Sequence, residues 1–377
     1  MKNSRLRKLA AIIAVVLALT MVLSACGKKD SGAAGDKVYT IGFNTWGSGV
    51  PILDLFGDET EFALGVLGMN GNRASDNFTA DKELENIQNF ISSQVDGIAF
   101  QASADPVMLQ ATDACAKAKI PFVLLVFVGD DNDRAQISAN NEYYAGAVNS
   151  DLIYDGETLG TAALRDGNRT ACIIGGNIGD NNMDQRIEGF TRTFTAGGGT
   201  IIDEARCTSP AECLDKAQAM LSAHRDVDCV YSLVGDYCPG TITAMDNLGL
   251  TGINLYVSCV DLDTANYIRE GRVVEGNDGI GLSAVIAPAM LINYLDGHPI
   301  RDASGRPAEF KTRPFTVNAS NVDDYVSIFY TAGEHPITAD LLKTLVWRNN
   351  NSVSYQTYAD LIASGLTLEA LLKAHGR

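Results

Sequence analysis

Apolar runs that are typical of buried strands alternate with amphipathic helical patterns along most of this chain, and the alternation occurs twice. Residues 120–128 are continuously apolar, which is the pattern of a strand buried on both faces of a parallel sheet. Residues 79–91 instead place their apolar side chains on one face of a helix. Strands that alternate with helices build βαβ units. The two blocks, 37–139 and 140–276, therefore predict an α/β fold of two doubly wound parallel-sheet lobes, with a ligand in the cleft where the carboxyl ends of the strands face each other.

The first residues have the order of an export signal. Residues 1–8 carry four basic side chains and no acidic one, and residues 9–23 are mostly apolar. We predict that residues 1–25 are a signal peptide removed from the mature protein. The Leu-Ser-Ala-Cys stretch ending at Cys26 resembles the bacterial lipobox, which implies that Cys26 is lipidated and anchors the chain. Residues 26–37 are small and polar, so they are predicted to be a flexible tether between the membrane and a body outside the cytoplasm.

The charge of the body excludes some partners. The whole chain has 29 basic and 46 acidic side chains. Without the signal peptide, 25 basic side chains stand against 46 acidic ones, a formal charge of −21. Nucleic acids and anionic lipid surfaces repel such a body, so the membrane is expected to hold it only through the lipid.

The cysteines and histidines do not have the spacing of a metal site. No C-x-x-C pair occurs, and the four histidines are scattered, so no zinc site and no cofactor is expected. Seven cysteines follow Cys26, and an odd number cannot all pair within one chain. Cys207 and Cys213 are close enough in sequence to form a local disulfide outside the cell.

Neither calcium binding nor catalysis has a matching motif. Asp130, Asp131 and Asp133 are interpreted as a solvated acidic loop, because their spacing lacks the glycine and the terminal glutamate of an EF-hand. No G-x-S-x-G or H-E-x-x-H sequence is present, so the chain is not expected to be an enzyme.

The order of several short motifs resembles the type I periplasmic solute-binding proteins, in particular the ribose-type branch. The motifs are TIGF at 40–43 followed by Pro51, KELENIQ at 82–88, VDGIAF at 95–100, AKIPFV at 118–123, RIEGF at 186–190, VYSLVGD at 230–236 and EGR at 270–272. The resemblance implies two flavodoxin-like lobes joined by a three-segment hinge, which close on a small solute and deliver it to an ABC importer, most often for sugars. It also implies a first lobe of residues 37–139 plus about 278–298, and a second lobe of residues 140–276 plus about 310–330.

The chain departs from the ribose-type pattern in three places. That branch has an Asp-Arg pair after its fourth strand to hold sugar hydroxyls, where this chain has Val126 and Phe127. A second arginine of the pattern is replaced by Asp184. Residues 331–377 continue past the usual end, and the patterns at 338–347 and 355–374 predict a helical extension. These departures argue against a pentose but not against the fold.

The candidate ligand-binding residues follow predicted strands or lie in the hinge. Trp46 is the stacking candidate for the apolar face of a sugar, against the alternative of a core tryptophan. The polar candidates are Asp76, Gln101, Ser103, Asp180, Asn181, Asp184, Arg186, Asp236, Tyr237, Asp261, Asn277 and Asp278. Planar polar side chains of these types pair with adjacent hydroxyl groups. Helix capping is the alternative for several of the carboxylates, and Asp263 competes with Asp261 as the cap of the helix that follows.

These observations predict an extracellular solute-binding lipoprotein of an ABC importer, with a monomeric body that captures a sugar or polyol by hinge closure. Two alternatives remain open. The same trap could take a nucleoside, a quorum signal or another non-sugar, or the loaded protein could dock on a sensory receptor kinase.

Overall fold

The computed structural model of the chain describes residues 37–102 and 104–377. The predicted signal peptide, Cys26, most of the tether and Ser103 therefore lie outside the described residues. Residues Val38–Arg377 form one compact unit.

The apolar runs of the first block pair into a six-stranded parallel sheet. All five residues of the fourth strand are buried, as the continuous apolar run predicts. The spatial order is β2-β1-β3-β4-β5-β11, which begins with the flavodoxin-like 2-1-3-4-5 order. The strands are β1 (Thr40–Thr45), β2 (Asn70–Ser75), β3 (Gly97–Phe100), β4 (Phe122–Val126), β5 (Tyr144–Ser150) and β11 (Glu309–Thr312). The helices of this lobe are α1 (Pro51–Val66), α2 (Ala80–Ser92), α3 (Asp105–Ala118), α4 (Asp131–Asn140) and α10 (Leu282–Leu295).

The second block repeats the same order in a second sheet. Its strands run β7-β6-β8-β9-β10-β12, and all pairs are parallel except β10 with β12. The strands are β6 (Thr170–Ile174), β7 (Thr200–Ala205), β8 (Cys229–Ser232), β9 (Asn254–Ser258), β10 (Glu275–Asp278) and β12 (Phe315–Asn318). The helices are α5 (Leu152–Arg165), α6 (Asn181–Ala196), α7 (Pro210–Ala223), α8 (Cys238–Asn247), α9 (Leu262–Arg269) and α11 (Val322–Phe329). The predicted fold class of two doubly wound lobes is confirmed.

The chain crosses between the sheets at three places, which form the hinge. It leaves β5 after Ser150, returns from β10 after Asp278, and passes from β11 to β12 after Thr312. The first and third crossings touch, because the Asp151 amide donates to the Thr312 carbonyl at 2.8 Å. At the second crossing Gly279 has a φ of +115°, a conformation that side chains with a Cβ rarely adopt.

The hinge positions correct two predicted boundaries. The first lobe extends to about residue 150 and not to 139, because β5 pairs with β4 and β11. The predicted second-lobe segment 310–330 is divided, because residues of β11 pair in the first sheet.

The predicted acidic loop is also corrected, because it is the start of helix α4. The Asp130 carboxylate accepts hydrogen bonds from the Asn132 and Asp133 amides and caps the helix. Asp131 forms an ion pair with the buried Arg134.

The predicted C-terminal extension is helical and lies against both lobes. It contains α12 (Ala339–Lys343), α13 (Tyr355–Asp360), a π turn (Leu361–Gly365) and α14 (Leu368–Ala374). On the first lobe, His335 stacks on Phe62 of α1 at 3.6 Å between ring centroids, and Asn293 of α10 donates to the Leu345 carbonyl. On the second-lobe side, α14 packs against α11.

We expect the extension to be part of the cooperative fold. Leu371 in α14 is fully buried, so Leu371→Ala should lower the free energy of unfolding of the body by about 2–5 kcal/mol in a urea titration. Leu109→Ala is the matched control, since Leu109 is 37% exposed in α3 and its truncation should cost only about 0.5 kcal/mol. Equal effects of the two substitutions would show that the extension is only loosely attached.

Candidate functional site

Two adjoining chambers occupy the cleft at the carboxyl ends of both sheets. The apolar chamber has a volume of about 410 Å³, and the polar chamber beside it about 400 Å³. Trp46, Phe127, Asn177 and Asp180 line both of them. Both lobes line the apolar chamber. The first-lobe residues are mainly apolar or aromatic: Trp46, Val50, Ile52, Leu53, Phe56, Phe78 and Phe127. The second-lobe residues are more polar: Asn177, Asp180, Met183, Arg186, Thr208, Ser209, Val234, Asp236 and Tyr237. Both volumes are within the usual range for small-molecule sites.

The aromatic wall of the first lobe is held by buried polar residues behind it. The Trp46 amide donates to Gln101 Oε1 at 3.1 Å, which fixes the loop after β1. The Phe78 amide donates to Asp76 Oδ1 at 3.0 Å and to the Trp46 carbonyl at 2.9 Å. Phe78 is 52% exposed at a φ of +63°, an unfavourable backbone for this residue type. Asp76 and Gln101 therefore position the wall.

The second lobe presents polar groups at the ends of its strands. Asp180 caps α6 by accepting from the Asn182 and Met183 amides. Asp236 and Tyr237 lie in a short 3₁₀ turn directly after β8. Burial, together with the nearby Asp261 carboxylate, raises the pKa of Asp236 to about 6. Burial also raises the pKa of Tyr237 to about 12.

A buried ion pair lies beneath the chambers. Arg186 is 1% exposed, and its Nε donates to Asp155 Oδ2 at 2.9 Å. Asn277 Nδ2 donates to Asp155 Oδ1 at 2.9 Å, so the carboxylate is held from both sides. A guanidinium nitrogen of Arg186 also donates to Cys259 Sγ at 3.0 Å. The network joins α5, α6 and β10. The Arg186 guanidinium is the one basic group that it brings to the cleft, and Asp155 is already its carboxylate partner.

Close helix packing makes this ion pair geometrically possible. A Cβ on Gly156 would lie 2.1 Å from the Arg186 carbonyl oxygen, and a Cβ on Gly189 would lie 2.0 Å from the Ile153 carbonyl oxygen. Only glycine therefore allows α5 and α6 to approach closely enough for these side chains to meet.

Asp278 lies at the hinge below the cleft. The Tyr325 hydroxyl donates to Asp278 Oδ2 at 2.6 Å and is also 2.5 Å from the Val260 carbonyl. Burial raises the pKa of Asp278 to about 7, although the Tyr325 hydrogen bond acts in the opposite direction. Asn277 and Asp278 line a small void beside the hinge and not the chambers.

The structure brings six of the predicted residues to the chambers: Trp46, Asp180, Asn181, Arg186, Asp236 and Tyr237. Six others lie outside the chamber linings: Asn277 and Asp278 at the hinge, and the four residues described next, so their ligand contact stays a prediction. Asp76 and Gln101 are buried behind the aromatic wall. Asp184 forms a surface ion pair with Arg206 at 2.7 Å. Asp261 is the cap of α9, accepting from the Thr264 amide at 2.7 Å, so the capping assignment to Asp263 is wrong.

Several residues of the site were not among the predicted ones. The sequence did mark Phe127 as a position of interest, since it replaces a polar residue of the ribose-type pattern. Asn177 and Asp105 also follow predicted strands and line the polar chamber. Phe78 and Asp155 carried no signal, because one lies in a strained turn and the other inside a helix.

The predicted pairing of Cys207 with Cys213 is not found. Both residues are free, buried thiols. Among the described residues, no group of three or more histidine, cysteine or acidic side chains could hold a metal ion. No helix in the same part of the chain is both long and apolar enough to span a membrane.

Comparisons with known proteins identify the family. A family model described as a periplasmic binding protein domain matches residues 41–285, which is more than half of the chain. The chain belongs to the periplasmic binding protein family. The predicted resemblance to its type I members is confirmed. The family and its solved relatives are solute-binding proteins.

Solved structures of periplasmic binding proteins share the fold at low sequence identity. The arabinose-binding component of an ABC transporter from Shewanella sp. ANA-3 is 17% identical, with a TM-score of 0.68 over 77% of this chain and 95% of its own. A solute-binding protein from Actinobacillus succinogenes 130z with bound D-allose is 17% identical, with a TM-score of 0.68 over 76% and 100%. One from Bacillus halodurans C-125 with bound myo-inositol is 16% identical, with a TM-score of 0.64 over 78% and 99%. No curated protein matches the chain.

The pH dependence of stability should report on Asp278. Because its folded-state pKa is raised to about 7, the stability that its protonation contributes is complete below about pH 4 and is lost as the pH rises through about 7. The unfolding free energy of the native protein minus that of Asp278→Asn should therefore fall by a few kcal/mol between about pH 4 and about pH 8, with about 4 kcal/mol as the ceiling.

Tyr325→Phe removes the hydroxyl that favours the charged carboxylate, so it should move this transition to higher pH. Denaturant titrations at each pH measure both effects. If the difference in unfolding free energy between the native protein and Asp278→Asn stayed constant with pH, the raised pKa of Asp278 would be contradicted.

Proposed function

We propose that this chain is the solute-binding component of an ABC importer and that it traps a small polar solute by closing its two lobes. The observation that carries the proposal is the cleft itself, which lies between two doubly wound lobes joined by three crossings. A solute that contacts both walls stabilises the closed form over the open one, since only the closed form makes both sets of contacts. The exposed apolar side chains at the cleft, Ile178 at 87% and Phe78 at 52%, are the surfaces that closure would cover.

The proposal includes a location, which is based on the predicted signal peptide and lipobox. A lipid on Cys26 would hold the body outside the cytoplasm at a bacterial membrane, within reach of a permease. The acidic body supports this arrangement because it is repelled by anionic lipid and so depends on the anchor. The closed, loaded monomer would be the form that the permease recognises.

The class of solute has two candidates. A sugar or polyol is the class that the resemblance implies, and the solved relatives described above have L-arabinofuranose, D-allose and myo-inositol bound. The wall of the first lobe favours a non-sugar, because among the described residues of that lobe only the indole of Trp46 brings a polar side-chain group to the apolar chamber. A polyol can place its apolar C–H face on these rings. Any hydroxyl directed at this wall would instead lose hydrogen bonds to water without replacing them.

Thermal unfolding of the body from residue 37 onward, with a panel of solutes, tests the proposal. The panel contains monosaccharides, polyols, nucleosides, amino acids and organic amines. A solute that binds only the folded state, present at 100 times its Kd, should add about 2.7 kcal/mol and raise the Tm by several degrees.

Tryptophan fluorescence locates the binding. The chain has two tryptophans, so Trp347→Phe leaves Trp46 as the single reporter. A solute that raises the Tm should also change the Trp46 emission, because Trp46 lines both chambers. A body that melts cooperatively but responds to no class by either measurement would overturn the proposed function.

A further inference from the structure

The three aromatic rings of the first-lobe wall meet nearly at right angles. Trp46 and Phe78 have ring centroids 5.7 Å apart with an angle of 71° between their planes. Trp46 and Phe127 are 5.1 Å apart with an angle of 74°. All three rings line the apolar chamber. In each pair the edge of one ring packs against the face of the other, so the three rings form one continuous aromatic surface on the chamber, which we call the aromatic box. Aromatic ring faces carry partial negative charge.

The charged side chains of the chambers are predominantly acidic. Asp180 and Asp236 of the second lobe line the apolar chamber opposite the box, and Asp105 lines the polar chamber. Of the described side chains that line either chamber, only Arg186 is basic, and Asp155 neutralises it at 2.9 Å. The cleft therefore repels an anionic solute and attracts a cationic one.

Of the described carboxylates that line the chambers, Asp236 has the fewest hydrogen bonds within the protein. It is half-buried at the chamber wall, and within residues 37–102 and 104–377 no hydrogen-bond donor or basic side chain contacts its carboxylate. Burial and the carboxylate of Asp261 both make its charged form unfavourable, and both raise its pKa. A half-buried carboxylate of this kind is available to accept a hydrogen bond from a donor outside the protein, and a cationic solute that replaces water there would be attracted to it.

We propose that the solute is a small organic cation, an ammonium or amine group on a compact apolar body. The aromatic surface of Trp46, Phe78 and Phe127 would contact the cationic group, and the carboxylates of Asp180 and Asp236 would neutralise it. This inference rests on the proposed function, in that the solute binds in the cleft. Aromatic boxes recognise such cations through the negative faces of the rings, and desolvation strengthens the attraction.

A pair of probes with the same shape separates charge from size. Choline and 3,3-dimethylbutan-1-ol differ by one atom, the charged nitrogen against a neutral carbon. Choline, tetramethylammonium and phenethylamine are titrated into the body by calorimetry, together with the neutral alcohol, D-ribose and myo-inositol. At least one cation should bind, and choline should bind about tenfold or more tightly than its neutral counterpart. Raising the salt concentration from about 0.1 M to about 1 M should weaken the cation and leave the neutral alcohol unchanged.

Comparing two aspartate variants tests whether the charge that attracts the cation lies in the cleft. Asp236→Asn keeps the shape and removes the charge, so it should weaken the bound cation by about tenfold or more without changing the affinity of the neutral alcohol. Asp184→Asn is the control, because Asp184 lies on the same lobe outside the chambers and pairs with Arg206. Trp46→Leu should weaken the cation more than Trp46→Phe, since phenylalanine retains a ring face. The Tm of each variant confirms that it is folded.

The outcomes distinguish this inference from the proposed function. Binding of D-ribose or myo-inositol, or equal binding of choline and its neutral counterpart, would overturn the cation and leave the solute trap intact. A folded body that binds none of the three cations overturns the inference. Equal losses in Asp236→Asn and Asp184→Asn would also overturn it, because the effect would then be general electrostatics and not a contact in the cleft.

Discussion

The buried contact between Arg186 and Asp155 is the interaction on which the cleft depends. It connects α5 to α6, and Asn277 extends it to β10, so the second lobe is fixed at the point where the chain enters and leaves the hinge. Removing one partner would leave an uncompensated buried charge, which typically costs about 3–5 kcal/mol. The same contact has a consequence for binding. Because Asp155 neutralises the Arg186 guanidinium, the carboxylates at the cleft surface make the electrostatic potential of the cleft negative.

The two walls of the cleft differ because different local structures build them. The aromatic wall comes from turns of the first lobe, and the polar wall comes from helix starts and strand ends of the second. Among the described residues, six that are not glycine have a positive φ, and four of them, Asn77, Phe78, Val126 and Cys259, lie beside the cleft. Backbone strain of this kind persists only where surrounding contacts enforce it, and it is concentrated at functional sites. Asp76 supplies such a contact at Phe78.

The alternation of strands and helices predicted most strands of both sheets, because a buried parallel strand needs an apolar run and its crossover helix needs an apolar face. It did not predict β11 and β12, the short strands at one edge of each sheet. Strand β5 was missed as part of the first lobe because its small residues, YAGAVNS, do not form a clear apolar pattern. The expectation that ligand-binding residues follow the carboxyl ends of strands identified Trp46, Asp180 and Asp236. It also selected Asp184 and Asp261, whose side chains are used locally in an ion pair and a helix cap. Asp155 could not be found this way, since its partner is 31 positions away and only the packing of two helices reveals the pair.

The most direct test of the account is a distance measurement across the cleft. The seven described cysteines are all buried, so spin labels on cysteines introduced at the exposed positions Gln110 and Glu188 would report one distance between α3 and α6. If the lobes close on their solute, saturation with a ligand found by thermal unfolding should shorten and narrow the distance distribution. A distribution that does not change although the ligand is bound would contradict hinge closure, and with it the central claim that the cleft is a solute trap.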